Sequence, residues 1–331
     1  MKRFAIIAPA DSSSAARMLA EPHRAALAGG VDLLDTLKQN LAAPDELVNL
    51  KALGGLDRIE RAPGGGLRIG PLVKLSQLAA APDVRARHAA LADAANAAAT
   101  PQIRNLATVA GNLAQRPRCW YFRNPDIVCL KKGGTKCYAV AGLNRYHAIL
   151  GGGPSFIVHP SNLAPALVAY DATLTILAPD GERQLAIADF FTPPTIDPRR
   201  ENILTPGRII TAIEVPAPLA NAGAAWLEAR EKQSFDWPLV SVVAIIALNH
   251  AGVVEYARVV MGAVAPIPWR APAAEKILLG ARLDRDLATR AAAAALAGAA
   301  PLAHNGYKVP IAKALVRRAI LRAANLADEP A

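Results

Sequence analysis

All three cysteines of the chain, Cys119, Cys129 and Cys137, fall in one stretch, Arg104 to Ser161, and the rest of the chain is organised around it. The stretch opens with RNLATVAGNLAQ and closes with HAILGGGPSFIVHPS. Between its first residue and Arg145 stand Arg104, Arg116, Arg118, Arg123, Lys131, Lys132, Lys136 and Arg145, against the single acid Asp126. Cations lower thiol pKa and offset the charge of a thiolate-bound metal, so the pattern points to an anionic inorganic centre. The competing reading is three reduced, structural thiols in a solvated basic loop. The spacing, Cys119-x9-Cys129-x7-Cys137, is neither that of a zinc finger nor the compact ferredoxin run. A [4Fe–4S] cluster normally takes four protein ligands, and Ser155, His147 and His159 are the candidates for the fourth. A lone histidine is more often a satisfied polar residue than a ligand.

Before this stretch the chain reads as small α/β units. A strand at Phe4 to Ile7 precedes a helix expected over Ser12 to Leu27, with Ser12, Ser13 or Ser14 as its N-cap. Gly29-Gly30 then marks a tight turn before a helix over Asp32 to Lys38, and Glu46 to Leu53 reads as a strand. Glycines at such a junction leave backbone N–H groups free to hold phosphate oxygens at a helix N-terminus. Turn geometry alone would explain them equally well. Leu67 to Ile69 is a strand, Leu91 to Ala99 an alanine-rich helix, and Thr108, Gly111 and Asn112 form a second small-residue turn. Two such turns fit a bound diphosphate better than one does.

After the stretch, Leu163 to Pro216 reads as strands, with a hairpin at Pro179-Asp180-Gly181. Beyond Pro216 the strands Ala224 to Arg230, Val240 to Asn249 and Tyr256 to Ala263 precede two alanine-rich helices, near Asp284 to Ala297 and Ile311 to Ala324. The expected division is 1–55, 56–218 with the cysteine loop at about 115–156, and 219–331.

Composition excludes several classes. Hydrophobic residues make up 53% of the chain, but no apolar run approaches the ~20 residues of a membrane span. Three cysteines give no even disulfide framework. No export signal is expected at the start, where the apolar patch is too short and Asp11 follows at once. The net charge of +10 raises the alternative of a zinc-stapled nucleic-acid-binding protein, yet aromatics are 5% and the basic residues outside the central stretch are dispersed. A basic surface suits acidic partner subunits equally well.

LAGGVDLLDTLK, ATVAGNLA, HPSNLAPALVAYDATL, ILTPGRIITAIEVP and KVPIAKALVRRAI resemble the flavoprotein (medium) subunit of the molybdenum hydroxylases, over essentially the whole chain. RCWYFRNPDIVC and NRYHAILG resemble the variant found in bacterial aldehyde oxidoreductase, which carries an extra [4Fe–4S] cluster. The resemblance implies an α+β fold: a vanillyl-alcohol-oxidase-type (PCMH-type) FAD-binding fold in two subdomains, then a C-terminal domain with a three-stranded sheet and helices. It implies FAD held by Ala28, Gly29, Gly30, Val31, Asp32 and Leu33, by Thr108, Gly111, Asn112 and Leu113, and by Asn162, Asp171 and Leu204. It implies a cluster on Cys119, Cys129, Cys137 and, where relatives place a fourth cysteine, Ser155. No substrate chemistry is expected in this chain. A large molybdenum-cofactor (molybdopterin) subunit and a small [2Fe–2S] subunit would complete a heterotrimer, or a dimer of heterotrimers, passing electrons through FAD to an external acceptor. Aldehyde oxidation is the leading substrate class, with xanthine or another N-heterocycle second and a 4-hydroxybenzoyl-CoA-reductase-like enzyme third. The compartment is the cytoplasm, or the periplasm by co-export with a signal-bearing partner. Three departures stand out: Val31 for a frequent threonine, Asn162 for the usual aspartate, and Glu228 for a lysine near the flavin.

Overall fold

The computed structural model describes residues 1–232 and 234–328, which form three sheets. The first is small and parallel, in the order β1 (Ala5–Ile7), β3 (Glu46–Asn49), β2 (Arg24–Leu27). The expected helix from Ser12 to Leu27 is therefore two elements. The helix Ser12–Ala20 stops where Pro22 cannot continue it, and the chain re-enters as β2. Its N-cap is Asp11, not one of the serines: the Asp11 carboxylate accepts from Ser14 N–H at 2.6 Å and the Ser14 hydroxyl answers in a capping box.

The second sheet is antiparallel, in the order β4 (Ile59–Arg61), β5 (Leu67–Ile69), β8 (Ile209–Val215), β6 (Thr173–Ala178), β7 (Gly181–Ala186). The hairpin at Pro179-Asp180-Gly181 joins β6 to β7 as expected. Residues 163–169, expected as strand, form the helix Leu163–Ala169, in which every residue is buried. An apolar run buried on all sides carries no period, so its sequence cannot separate helix from strand. Gly111 and Asn112 likewise lie inside a helix, Val109–Ala114, rather than in a turn.

The third sheet runs β9 (Ala222–Ala229), β10 (Val240–Leu248), β11 (Val254–Gly262), with a two-residue edge strand β12 (Trp269–Arg270) beside β11. The three long strands are those expected. Both faces of this sheet are covered. Val243 and Ile245 pack with the helix Leu163–Ala169, while Val242, Ala244 and Ile246 pack with the helices Arg285–Ala295 and Lys308–Ala323. Double burial explains why β10 reads as an apolar run interrupted only at Ser241. A helix at Pro272–Leu278 completes this part. Among the described residues no helix is long and apolar enough to cross a membrane.

Candidate functional site

The helix Val31–Lys38 starts at the carboxyl end of β2. Its N-cap is Gly30, which has a φ of +75° and no side chain to cap the helix. The N–H groups of Val31, Asp32 and Leu33 have no acceptor among the described contacts. An open helix N-terminus of this kind attracts phosphate oxygens. It borders a cleft of about 650 Å³ whose walls include Ala28, Gly29, Gly30, Val31, Asp32, Leu33, Thr108, Gly111, Asn112 and Asn162. The two glycine-bearing segments meet because Gly29 lacks a side chain: a Cβ there would lie 2.1 Å from the Leu106 carbonyl oxygen.

The second segment differs from the sequence reading. Its N–H groups already have acceptors. Val109 donates to Val73 O, Ala110 to Pro71 O, Gly111 to Thr108 Oγ1 at 3.2 Å, and Asn112 to Thr108 O. Thr108 is thus the N-cap of its own helix. Asn112 Oδ1 accepts from Ser161 Oγ at 2.6 Å and ties the cleft floor to the segment before Leu163. Anion donors therefore concentrate at Val31 to Leu33, while Thr108, Gly111 and Asn112 shape the opposite wall. Leu113, Asp171 and Leu204 line neither this cleft nor the cavity beside it. Leu113 is fully buried in the core, Asp171 pairs with Arg258 on β11, and Leu204 packs on the core edge.

That neighbouring cavity, of about 410 Å³, shares Arg118, Asn162 and Trp237 with the cleft. Trp120, Tyr146, His147, Ile157 and His159 contribute to its walls, as does Cys119. Arg118 lies 5.0 Å over the Trp237 ring. Around the junction three buried donors lack partners among the described residues: Arg118 Nε, Trp120 Nε1 and Asn162 Nδ2. An open anion site, a cradle that needs glycine, and a connected slot with orphaned donors fit an elongated dinucleotide with an acceptor-rich ring system. Trp237 was missed at the sequence level; a tryptophan in the polar loop Ser234 to Pro238 was the available signal.

Five cations of the basic stretch are paired with carboxylates from elsewhere in the chain. Arg123 bonds Asp32 at 2.7 Å and Asp35 at 3.0 Å, and Arg118 reaches the same pair. Arg116 and Lys131 share the buried carboxylate of Glu201, at 2.9 and 2.7 Å. Arg145 pairs with Glu231. The expectation that these cations depress the thiol pKa fails at Cys119, where burial pushes the thiol up to about 11, and Cys137 and Cys129 push in the same direction. All three thiols are free. Among the described residues no three His, Cys, Asp or Glu side chains gather tightly enough for a single metal ion. A four-iron cluster instead spreads one thiolate to each iron, so its ligands stand further apart. Ser155 is buried, and His147 Nε2 lies 3.2 Å from Cys119 Sγ. His159 instead accepts from Ser161 N–H and packs edge-on to Phe191; burial holds its pKa down to about 3. Glu228 pairs with Arg230, and burial raises its pKa.

Asp32 is the hub of this ionic lattice, because its carboxylate also accepts from Arg116 N–H at 2.7 Å. Asp32→Ala is expected to cost roughly 2 kcal/mol by denaturant unfolding, with loss of the cleft's shape rather than of a ligand contact. An unchanged unfolding midpoint would show the lattice to be energetically silent.

Residues 2–218 match the family model of the FAD binding domain in molybdopterin dehydrogenase, and residues 225–323 match the CO dehydrogenase flavoprotein C-terminal domain. The aldehyde oxidoreductase FAD-binding subunit PaoB of Escherichia coli K12 is 38% identical over 309 residues, 92% of each chain. The carbon monoxide dehydrogenase medium chain of Hydrogenophaga pseudoflava is 26% identical over 96% of each. A solved structure of carbon monoxide dehydrogenase from that organism superposes with a TM-score of 0.75 at 26% identity, covering 97% of both chains.

Proposed function

The chain belongs to the FAD-binding subunits of the molybdenum hydroxylases, and from that membership we propose that it is the electron-transfer subunit of an aldehyde-oxidising enzyme. FAD would bring a redox-active isoalloxazine. This chain's part is to place and shield it: the N–H groups of Val31 to Leu33 hold the diphosphate, and the cavity between Trp120 and Trp237 receives the ring. Asn162 and Arg118 stand at the junction. The observation that carries this reading is the continuity of cleft and cavity through Arg118, Asn162 and Trp237. The aldehyde class rests on the similarity to PaoB, and a partner subunit would hold the substrate.

Cys119, Cys129 and Cys137, with Ser155, would hold a [4Fe–4S] cluster. Cys119 belongs to the cavity wall as well, so an iron centre on these thiols would stand against the ring site. Electrons would enter from molybdenum and [2Fe–2S] centres in large and small partner subunits and leave from FAD to an external acceptor. The protein as isolated with its partners is the sample for the test. Flavin extracted from it should be FAD, one per chain, and a flavin band that cannot be restored by reconstitution would end the reading. For the cluster, iron and sulfide analysis with EPR on Ser155→Cys and Ser155→Ala is decisive. A ligating serine oxygen, harder than sulfur, predicts altered spectra in both variants; unchanged spectra remove Ser155 from the coordination sphere.

A further inference from the structure

Lys308, at the start of the last helix, is 1% exposed. Its Nζ donates to the carbonyl of His147 at 3.1 Å and to that of Ala263 at 2.6 Å. No carboxylate pairs with it among the described residues. Both acceptor residues line the proposed ring cavity. The lysine belongs to a seam that fastens the cysteine stretch to the C-terminal part. Asn305 Nδ2 donates to His147 O and Ala148 O, Asn144 Oδ1 accepts from His304 N–H at 2.8 Å, and Tyr307 hydroxyl donates to Arg145 O. Asn305 already satisfies the His147 carbonyl, so hydrogen bonding alone does not require an ammonium here. A neutral donor would serve, and burial pulls the Lys308 pKa down to about 7, so the ammonium is held there at a cost and in full only below that pH.

We infer that Lys308 is a positioning residue whose buried charge, one backbone layer behind the cavity wall, makes the bound flavin easier to reduce. The inference rests on the reading that the ring occupies this cavity. Reduction adds two electrons and one proton to a neutral ring and leaves one negative charge on it. A cation fixed in a low-dielectric wall stabilises that charge more than a solvated one would. The two carbonyls hold the ammonium in place, so little reorganisation accompanies the change.

The test is spectroelectrochemistry of the flavin in the holoenzyme, with the electrons supplied by an electrode, on the wild type, Lys308→Met, Lys308→Gln and Lys308→Arg. Lys308→Gln retains a donor for the Ala263 carbonyl, so it reports on charge even where the methionine variant fails to fold. The expected result is FAD content near that of the wild type with the flavin midpoint potential shifted negative in the methionine and glutamine variants, and restored towards the wild type by arginine. Retained FAD with an unmoved potential in the glutamine variant would overturn the inference and leave the functional reading intact. A shift in methionine alone would also overturn it, since it would trace to the seam and not to the charge. A wild type that takes no FAD would remove both.

Discussion

Gly29→Ala should empty the cleft. The added methyl would meet the Leu106 carbonyl oxygen at 2.1 Å, and Leu106 carbon and Ala107 Cα at 3.0 and 3.2 Å. All three are backbone atoms, so no rotamer change relieves the contact, and the segments carrying Val31 and Thr108 must separate. Overpacking of this kind costs about 3 kcal/mol, which is ~100-fold in affinity if it falls on the ligand-competent form. FAD content after purification, and the dissociation constant on reconstitution, are the measurements. Gly30→Ala is the control. Its φ of +75° costs an alanine ~1–2 kcal/mol, but its Cβ would meet only the flexible side-chain ends of Leu34 and Leu27, at 3.3 and 3.4 Å, so its effect should be the smaller. Full FAD retention by Gly29→Ala would mean that the close approach of the two segments is not what forms the site.

Glu201→Ala should release the cysteine loop. Glu201 and Lys131 are 3% and 6% exposed, and the carboxylate is shared with Arg116. Removing one partner of a buried pair leaves the other charge stranded, at about 3–5 kcal/mol. The Lys131 ammonium would keep only the carbonyls of Pro198 and Arg200. The expected results are a lower unfolding midpoint and faster reaction of Cys129 with a thiol reagent, with depleted iron following from the proposed cluster. Replacing Glu201 and Lys131 by apolar residues, Glu201→Leu with Lys131→Met, should recover most of the stability, because the one cation then left without its partner, Arg116, is more than a third exposed and can be solvated. Equal thiol reactivity in the wild type and Glu201→Ala would show that the loop is held by other contacts.

Much of the site was written in local sequence. Gly29-Gly30 before an amphipathic helix is a local signal with a local cause: a positive φ and an uncapped N-terminus depend on adjacent residues only. The same holds for the Pro179-Asp180-Gly181 hairpin and for the long strands β9 to β11. The misreadings share a physical reason. Leu163 to Ala169 carries no period because it is buried on every side. The helix expected to run to Leu27 breaks at Pro22, and only pairing with β3 makes the following RAAL a strand. Thr108, Gly111 and Asn112 carry the residue types of an anion site, but Val73, Pro71 and Thr108 itself take up the donors.

What the sequence determined by itself is the family, the glycine junction and the gathering of all three cysteines in one loop. What only the tertiary structure decided is the electrostatics of that loop. Asp32 and Asp35 lie more than 80 residues before the arginines they neutralise, as the separations of 83 to 91 between bonded partners record. Glu201 is likewise remote in sequence, 85 residues after Arg116 and 70 after Lys131. Charge counted along a chain ignores partners delivered by folding, because Coulomb attraction follows distance in space, and so does the dielectric around a buried thiol. In a stretch that reads as strongly basic, the arginines and the lysine nearest the core are therefore paired once folded, and Cys119 is governed by burial where the neighbouring letters suggested cations.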